Sequence, residues 1–65
     1  MMSHSTISTI LRLPAVLART GLARATIYAH ISQGSFPAPI KLGPRASGWV
    51  EAEVEGWVTA RIAAR

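Results

Sequence analysis

Glycine and proline divide this 65-residue chain into short segments, and their placement restricts the fold more than any other feature. Pro14 suits the first turn of a helix and Gly21 suits the residue that ends one, so a first helix of about two turns is predicted. A second helical segment follows over Arg24 to Gln33 and ends at Gly34. Two short helices joined at Gly21 are therefore expected between residues 12 and 34.

The three prolines of residues 36–50 exclude a helix from that stretch. Two short strands, Ile40 to Leu42 and Gly48 to Val50, are predicted around a five-residue turn, Gly43 to Ser47. Proline confines the first of these strands to the edge of a sheet. Thr9 to Arg12 is a candidate for a further short edge strand. The sequence thus predicts a small β-hairpin after the two helices.

The last segment, Glu51 to about Ala64, is predicted to be a third helix. Its apolar residues lie at helical spacing: Val54, Trp57, Val58 and Ile62. Gly56 is its weak point, since glycine costs roughly 1 kcal/mol relative to alanine inside a helix. The two tryptophans are expected to build the small core rather than to stack on a ligand, and His30 is expected to be partly buried and hydrogen-bonded.

The charged residues are segregated along the chain. Seven basic and three acidic residues give a formal net charge of +4 and an isoelectric point of about 11.3. All three acids lie between Glu51 and Glu55, so residues 1–50 carry five positive charges and no negative one. An isoelectric point above about 9 for a whole domain is typical of nucleic-acid binding. On charge alone, a basic surface without a dedicated partner is the alternative.

Composition excludes several other classes of protein. A chain of this length forms one domain, and 49% hydrophobic residues argue against intrinsic disorder. No apolar run approaches the roughly 20 residues that cross a bilayer, and the absence of cysteine removes disulfides and thiolate zinc sites. No catalytic residue, cofactor, metal or small-molecule ligand is predicted. We expect a cytoplasmic, nucleoid-associated protein with a flexible tail over residues 1–9 and one domain over residues 10–65.

A set of short motifs in fixed order resembles the AlpA family of phage-derived transcriptional regulators. The motifs are RLP, TGL, ATIY, G-x-FP-x-PIKLG, and GW followed by E-x-EV-x-x-W, and they span about residues 10–65. The resemblance implies a MerR-like or excisionase-like winged helix-turn-helix, mainly α with a small β-hairpin, three short helices and a wing. It implies that residues 24–33 enter the major groove of double-stranded DNA, and that the wing, residues 40–50, lies on the adjacent backbone or minor groove.

Nine residues are the candidate DNA contacts: Arg19, Arg24, Ala25, Thr26, Tyr28, Ala29, Lys41, Arg45 and Ser47. Arg24 begins the second helix, where its guanidinium can bind guanine bidentately or clamp a phosphate. Arg45 lies in the hairpin turn, where an arginine can enter a narrow minor groove. Thr26 and Tyr28 can donate to phosphates or base edges, and Lys41 suits a phosphate.

Small residues leave the predicted recognition helix with few polar side chains. Ala25 and Ala29 stand where polar or basic side chains are common in the family; they can contact thymine methyl groups, or they are simply good helix formers. Ala23 stands where serine or threonine usually caps this helix. Arg19, two residues before Gly21, either touches backbone phosphate or is solvated.

Two other functions stay open at this point. An excisionase-like factor would bend DNA with several copies side by side, and the weakly polar recognition helix suits such shape-based binding. A protein-interaction module would use the alanines of the last helix, Ala52, Ala60, Ala63 and Ala64, to pair with a partner or a second copy. Self-association on DNA is therefore also open.

Overall fold

The computed structural model describes residues 9–65, which form three helices and a small antiparallel sheet. In chain order the elements are β1 (Ile10–Leu11), α1 (Leu13–Thr20), α2 (Arg24–Ser32), β2 (Ile40–Gly43), β3 (Ala46–Val50) and α3 (Glu51–Ala64). The predicted helices and the predicted edge strand are confirmed, with small shifts at their ends. The tail predicted over residues 1–9 lies outside the described residues except for Thr9, whose carbonyl accepts a hydrogen bond from the Glu51 amide at 2.8 Å.

The turn of the hairpin is shorter than the sequence prediction. A five-residue turn over Gly43 to Ser47 is wrong: pairing continues to Gly43 and resumes at Ala46, so only Pro44 and Arg45 form the turn. The reason is that proline, with φ fixed near about −65°, supplies the first corner of a tight turn by itself. The pairing register shifts between Lys41 and Gly43, so β2 is irregular just before the turn. Arg45 is thereby placed at the tip of the hairpin.

Strand β3 is the centre of the sheet, which has the order β1–β3–β2. Ile10 pairs with Val50 and Leu11 with Trp49, so β1 completes the predicted hairpin into a three-stranded sheet. The fold therefore combines three helices with a small three-stranded sheet, and it is compatible with a winged helix-turn-helix. Gly48 permits the close pairing, because a Cβ there would overlap the Ile10 side chain and lie 3.1 Å from the Leu11 carbonyl oxygen.

The connection between α1 and α2 is fixed by backbone and side-chain hydrogen bonds. Gly21 ends α1 in the left-handed conformation, with φ 73°, and its amide donates to the Leu17 carbonyl at 2.8 Å. The Thr20 hydroxyl donates to the Val16 carbonyl at 2.9 Å and accepts the Leu22 amide at 3.2 Å. This network confirms the predicted helix end and sets the direction in which α2 begins.

One small hydrophobic core joins the elements. Its buried residues come from all three helices, from β1 and β3, and from the loop before β2: Leu11, Val16, Ile27, Phe36, Trp49 and Val54. Trp49 is 1% exposed, which confirms it as a core residue. On α3 burial declines after Val54, and Ile62 is 55% exposed, so the predicted apolar stripe does not continue to the end of the helix. The first two turns of α3 therefore close the core.

Candidate nucleic-acid interface

Helix α2 exposes all five of the DNA contacts predicted on it. Ile27 is fully buried and anchors the helix to the core. The exposed residues are Arg24, Ala25, Thr26, Tyr28 and Ala29. Tyr28 exposes 45% of its surface although it is a large aromatic residue. One side of α2 is thus held in place by the core while the predicted contact residues stay accessible to a partner.

The N-termini of α1 and α2 are both electropositive. The residues that precede them, Arg12 and Ala23, form no side-chain hydrogen bond to the helix, and neither helix has an acidic residue in its first turn. The first amides of a helix lack partners inside it and carry the positive end of the helix dipole. Without a capping side chain, the first amides of α2 in particular remain available to an anion.

A solvent-open cleft of about 310 Å³ brings α2, the hairpin and the start of α1 together. Its polar lining residues are Arg12, Arg24, Tyr28, Arg45 and Ser47, and Trp49 also lines it. Four of the nine predicted contacts, from two separate elements, therefore meet at one surface. Ala25, Thr26, Ala29 and Lys41 are exposed outside the cleft lining. Ser47 is half-buried and pairs with Lys41 across the hairpin.

Arg12 is the cleft residue that sequence reasoning does not identify. It lies between β1 and α1, outside the two segments that were expected to meet DNA. Its carbonyl accepts the amides of Ala15 and Val16 at 3.0 and 3.1 Å, which fixes the backbone from which its side chain projects. A signal was present in the sequence, since Arg12 opens the RLP motif and belongs to the acid-free part of the chain.

Arg19 has a different surrounding from the other predicted cations. Its guanidinium forms ion pairs with Glu51, at 2.9 Å, and with Glu55, both on α3. The hydrogen bond that Arg19 donates to Glu51, together with the negative charges of Glu51 and Glu55, raises the pKa of Arg19 above its usual value. Arg19 is not among the residues that line the cleft. Its observed ion pairs connect α1 to α3, and its contact with DNA stays a prediction.

The structure confirms the prediction that His30 is partly buried and hydrogen-bonded, and Trp57 packs half-buried against the core. His30 is half-buried, its Nδ1 lies 3.0 Å from the Ser35 hydroxyl, and its ring packs edge-on against Trp57. The Trp57 indole donates to the Ser35 carbonyl, and its ring also meets Phe36 edge-on. The buried Nε1 of Trp49 has no hydrogen-bond partner among the described residues.

Within residues 9–65, no group of three or more histidine or acidic residues could hold a metal ion. The described helices include none that is long and apolar enough to cross a bilayer.

Comparison of the sequence with known proteins identifies the family of this chain. The chain is 47% identical to the DNA-binding transcriptional activator AlpA of Escherichia coli K12 over 58 residues, which covers 80% of this chain and 83% of that protein. It is 44% identical over 55 residues to the uncharacterized protein ORF88 of Enterobacteria phage P4, covering 85% of this chain and 62% of ORF88. The family described as prophage CP4-57 regulatory protein (AlpA) matches residues 9–62. The chain belongs to this AlpA family.

Proposed function

We propose that this protein is a transcriptional regulator without catalytic activity that binds double-stranded DNA as a winged helix-turn-helix. Helix α2 lies in the major groove, and the β2–β3 hairpin is the wing, on the adjacent backbone or minor groove. The observation that carries the proposal is the meeting of Arg24 from α2 with Arg45 from the hairpin tip at one positively charged cleft. The relative named a DNA-binding transcriptional activator supports the same partner.

The accessible surface of α2 suits a major groove. Ala25, Thr26 and Ala29 are exposed, and none of the three carries a bulky side chain that would hold the helix away from the bases. An alanine methyl can contact a thymine methyl, and a threonine hydroxyl can bond a base edge. Ile27, on the buried side, fixes the helix to the core and so fixes the height at which these groups meet the groove.

The hairpin suits a wing because its cations lie on an exposed, tightly closed loop. Arg45 is in the two-residue turn, and Lys41 is exposed on β2. Cations on a protruding loop can neutralise phosphates, and an arginine can also enter a narrow minor groove. The centre of the sheet, β3, connects this loop rigidly to Trp49 in the core.

An architectural, excisionase-like role is the second candidate function. The observation that favours it is the small size of the side chains on the exposed surface of α2 outside the cleft, where two of the four residues are alanines and the other two, Thr26 and Ser32, carry only a hydroxyl group. Such a surface gives shape and backbone contacts more weight than base readout. Footprints over several tandem sites would favour this role, whereas one isolated footprint at a promoter would favour a regulator that acts alone.

A matched pair of substitutions tests the proposed surface. Ala29→Glu places a negative charge on the exposed part of α2, and Ala60→Glu makes the same change on exposed α3. We expect Ala29→Glu to weaken duplex binding by about tenfold or more through repulsion of phosphates, and Ala60→Glu to have little effect. Fluorescence anisotropy with a labelled duplex measures both. Loss of binding in Ala60→Glu alone would assign DNA to α3, and failure of the unsubstituted protein to bind duplex at low salt would refute the function.

A further inference from the structure

The cleft defined above concentrates positive charge without a counter-charge. Its lining includes the guanidinium groups of Arg12, Arg24 and Arg45 and no carboxylate. Among residues 9–65, none of these three arginines takes part in an ion pair, whereas Arg19 is paired with two glutamates of α3. Three cations that converge on one cleft repel each other, and an anion in the cleft removes that repulsion. The arrangement therefore favours a negatively charged ligand.

Two of the five remaining lining residues carry hydrogen-bond donors that suit the same anion, whereas Leu13 and Pro14 are apolar. Tyr28 and Ser47 contribute hydroxyl groups. Trp49 lines the cleft with a side chain that is almost fully buried, and its Nε1 has no partner among the described residues. The Nε1 atom itself is buried, so the indole N–H can report on changes in the adjacent cleft but does not face an anion there. The lining adds no acceptor-only group, so its chemistry is that of an oxyanion site.

We propose that this cleft seats one phosphodiester of the DNA backbone, shared by Arg12, Arg24 and Arg45. The inference rests on the proposed function and deepens it, because it extends the interface to Arg12, which precedes α1 and belongs to neither α2 nor the hairpin. A cleft open to solvent suits an anion carried by a large molecule, and Arg guanidinium groups bind phosphate oxygens bidentately. The phosphate thus connects the start of α1, the start of α2 and the hairpin tip.

Arg24 can have either of two roles, and the proposed phosphodiester site assigns it the first. An arginine held on a phosphate positions the protein but reads no sequence, whereas an arginine on guanine specifies a base. With Arg24 at the phosphate, base readout falls to the exposed residues of α2 outside the cleft. Substitution of Arg12 or Arg24 then weakens binding to all duplexes alike and leaves the preferred sequence, selected from a random duplex pool, unchanged.

The test compares Arg12→Gln with Arg65→Gln, which removes the same charge from the exposed end of α3. The Arg12 backbone carbonyl keeps its bonds to α1 in the variant, and thermal unfolding by circular dichroism checks that both variants fold. The measurement is the slope of log affinity against log salt concentration for a labelled duplex. One whole phosphate contributes about 0.9 to the slope, which is about 3.5-fold in affinity between 50 and 200 mM salt. Because Arg24 and Arg45 still neutralise part of the phosphate charge, we expect Arg12→Gln to flatten the slope by part of that value and Arg65→Gln to leave it unchanged.

The possible outcomes distinguish failure of the proposed phosphodiester site (the seat) from failure of the proposed function. Duplex binding with an unchanged slope in Arg12→Gln, or with equal changes in both variants, overturns the seat and leaves the proposed function standing. No duplex binding by the unsubstituted protein overturns both. A changed consensus in the pool selected by Arg24→Gln also overturns the seat, because it would place that guanidinium on a base.

A second measurement identifies the source of the phosphate. The indole N–H resonances of Trp49 and Trp57 are followed by NMR, and Trp57 serves as reference because its indole is bonded to Ser35. We expect the Trp49 resonance to move on addition of duplex and to stay unchanged in inorganic phosphate at the same ionic strength. A saturable shift of Trp49 in inorganic phosphate that is lost in Arg12→Gln would assign the cleft to the free anion and overturn the DNA seat.

Discussion

Replacing Gly56 with alanine should stabilise the protein. Gly56 is exposed inside α3, and a Cβ built on it meets no atom within 4 Å, so alanine neither clashes nor gains packing there. The effect is then the difference in helix propensity alone, about 1 kcal/mol in favour of alanine. For a domain of this size, that free energy raises the midpoint of thermal unfolding by about 4–8 °C.

Gly21→Ala is the matched control, because it makes the same chemical change in equally open space. A Cβ on Gly21 also meets no atom within 4 Å, but its φ of 73° is a conformation that alanine adopts only with strain. We expect destabilisation of about 1 kcal/mol there, opposite in sign to the effect at Gly56. Far-UV circular dichroism with heating and with urea measures both.

Two results would refute the reasoning about the glycines. A lower unfolding midpoint for Gly56→Ala would mean that α3 is not a continuous helix at that position. Stabilisation by Gly21→Ala would mean that α1 does not end in a left-handed residue, and the direction of α2 would then be wrong as well. Neither glycine lines the cleft, so duplex binding by folded Gly56→Ala should equal that of the unsubstituted protein.

Two further changes test the sheet and the contact between helices. Gly48→Ala should destabilise the protein by about 1–3 kcal/mol in urea titrations, because its Cβ would overlap the Ile10 side chain between β3 and β1; an unchanged midpoint would argue against that pairing. Arg19→Gln should lower the midpoint of urea unfolding at low salt, because it removes the ion pairs with Glu51 and Glu55. The difference in midpoint from the unsubstituted protein should shrink at 1 M salt, which screens solvent-accessible ion pairs. A difference that persists at 1 M salt would indicate that the Arg19 side chain stabilises the protein by packing instead.

Local structure was largely predictable from the sequence. Gly21 and Gly34 mark the ends of α1 and α2 because both need a positive φ, a requirement that depends on neighbouring residues only. The prolines before β2 place that strand at the sheet edge for an equally local reason, the missing backbone donor. The hairpin turn was predicted too long, since sequence pattern does not show how far strand pairing continues.

The candidate site was predictable only in part, because it depends on packing between distant segments. Arg24 and Arg45 were singled out from their local positions, but their meeting in one cleft follows from the tertiary fold, in which α1 packs against both α2 and β3 around a shared core. Arg12 was missed for the same reason. The ion pairs of Arg19 with α3 also required the tertiary structure, although all the charges were visible in the sequence.

The most direct test of the central claim, that α2 and the hairpin form one DNA-binding surface, is an amide chemical-shift map. A ¹⁵N-labelled protein is titrated with a short duplex at low salt, and the shift of every resolved amide is recorded. We predict that the largest shifts fall in the first turns of α2, at the hairpin tip around Arg45 and at the start of α1 near Arg12. Shifts concentrated in the second half of α3, with α2 and the hairpin unchanged, would contradict the account.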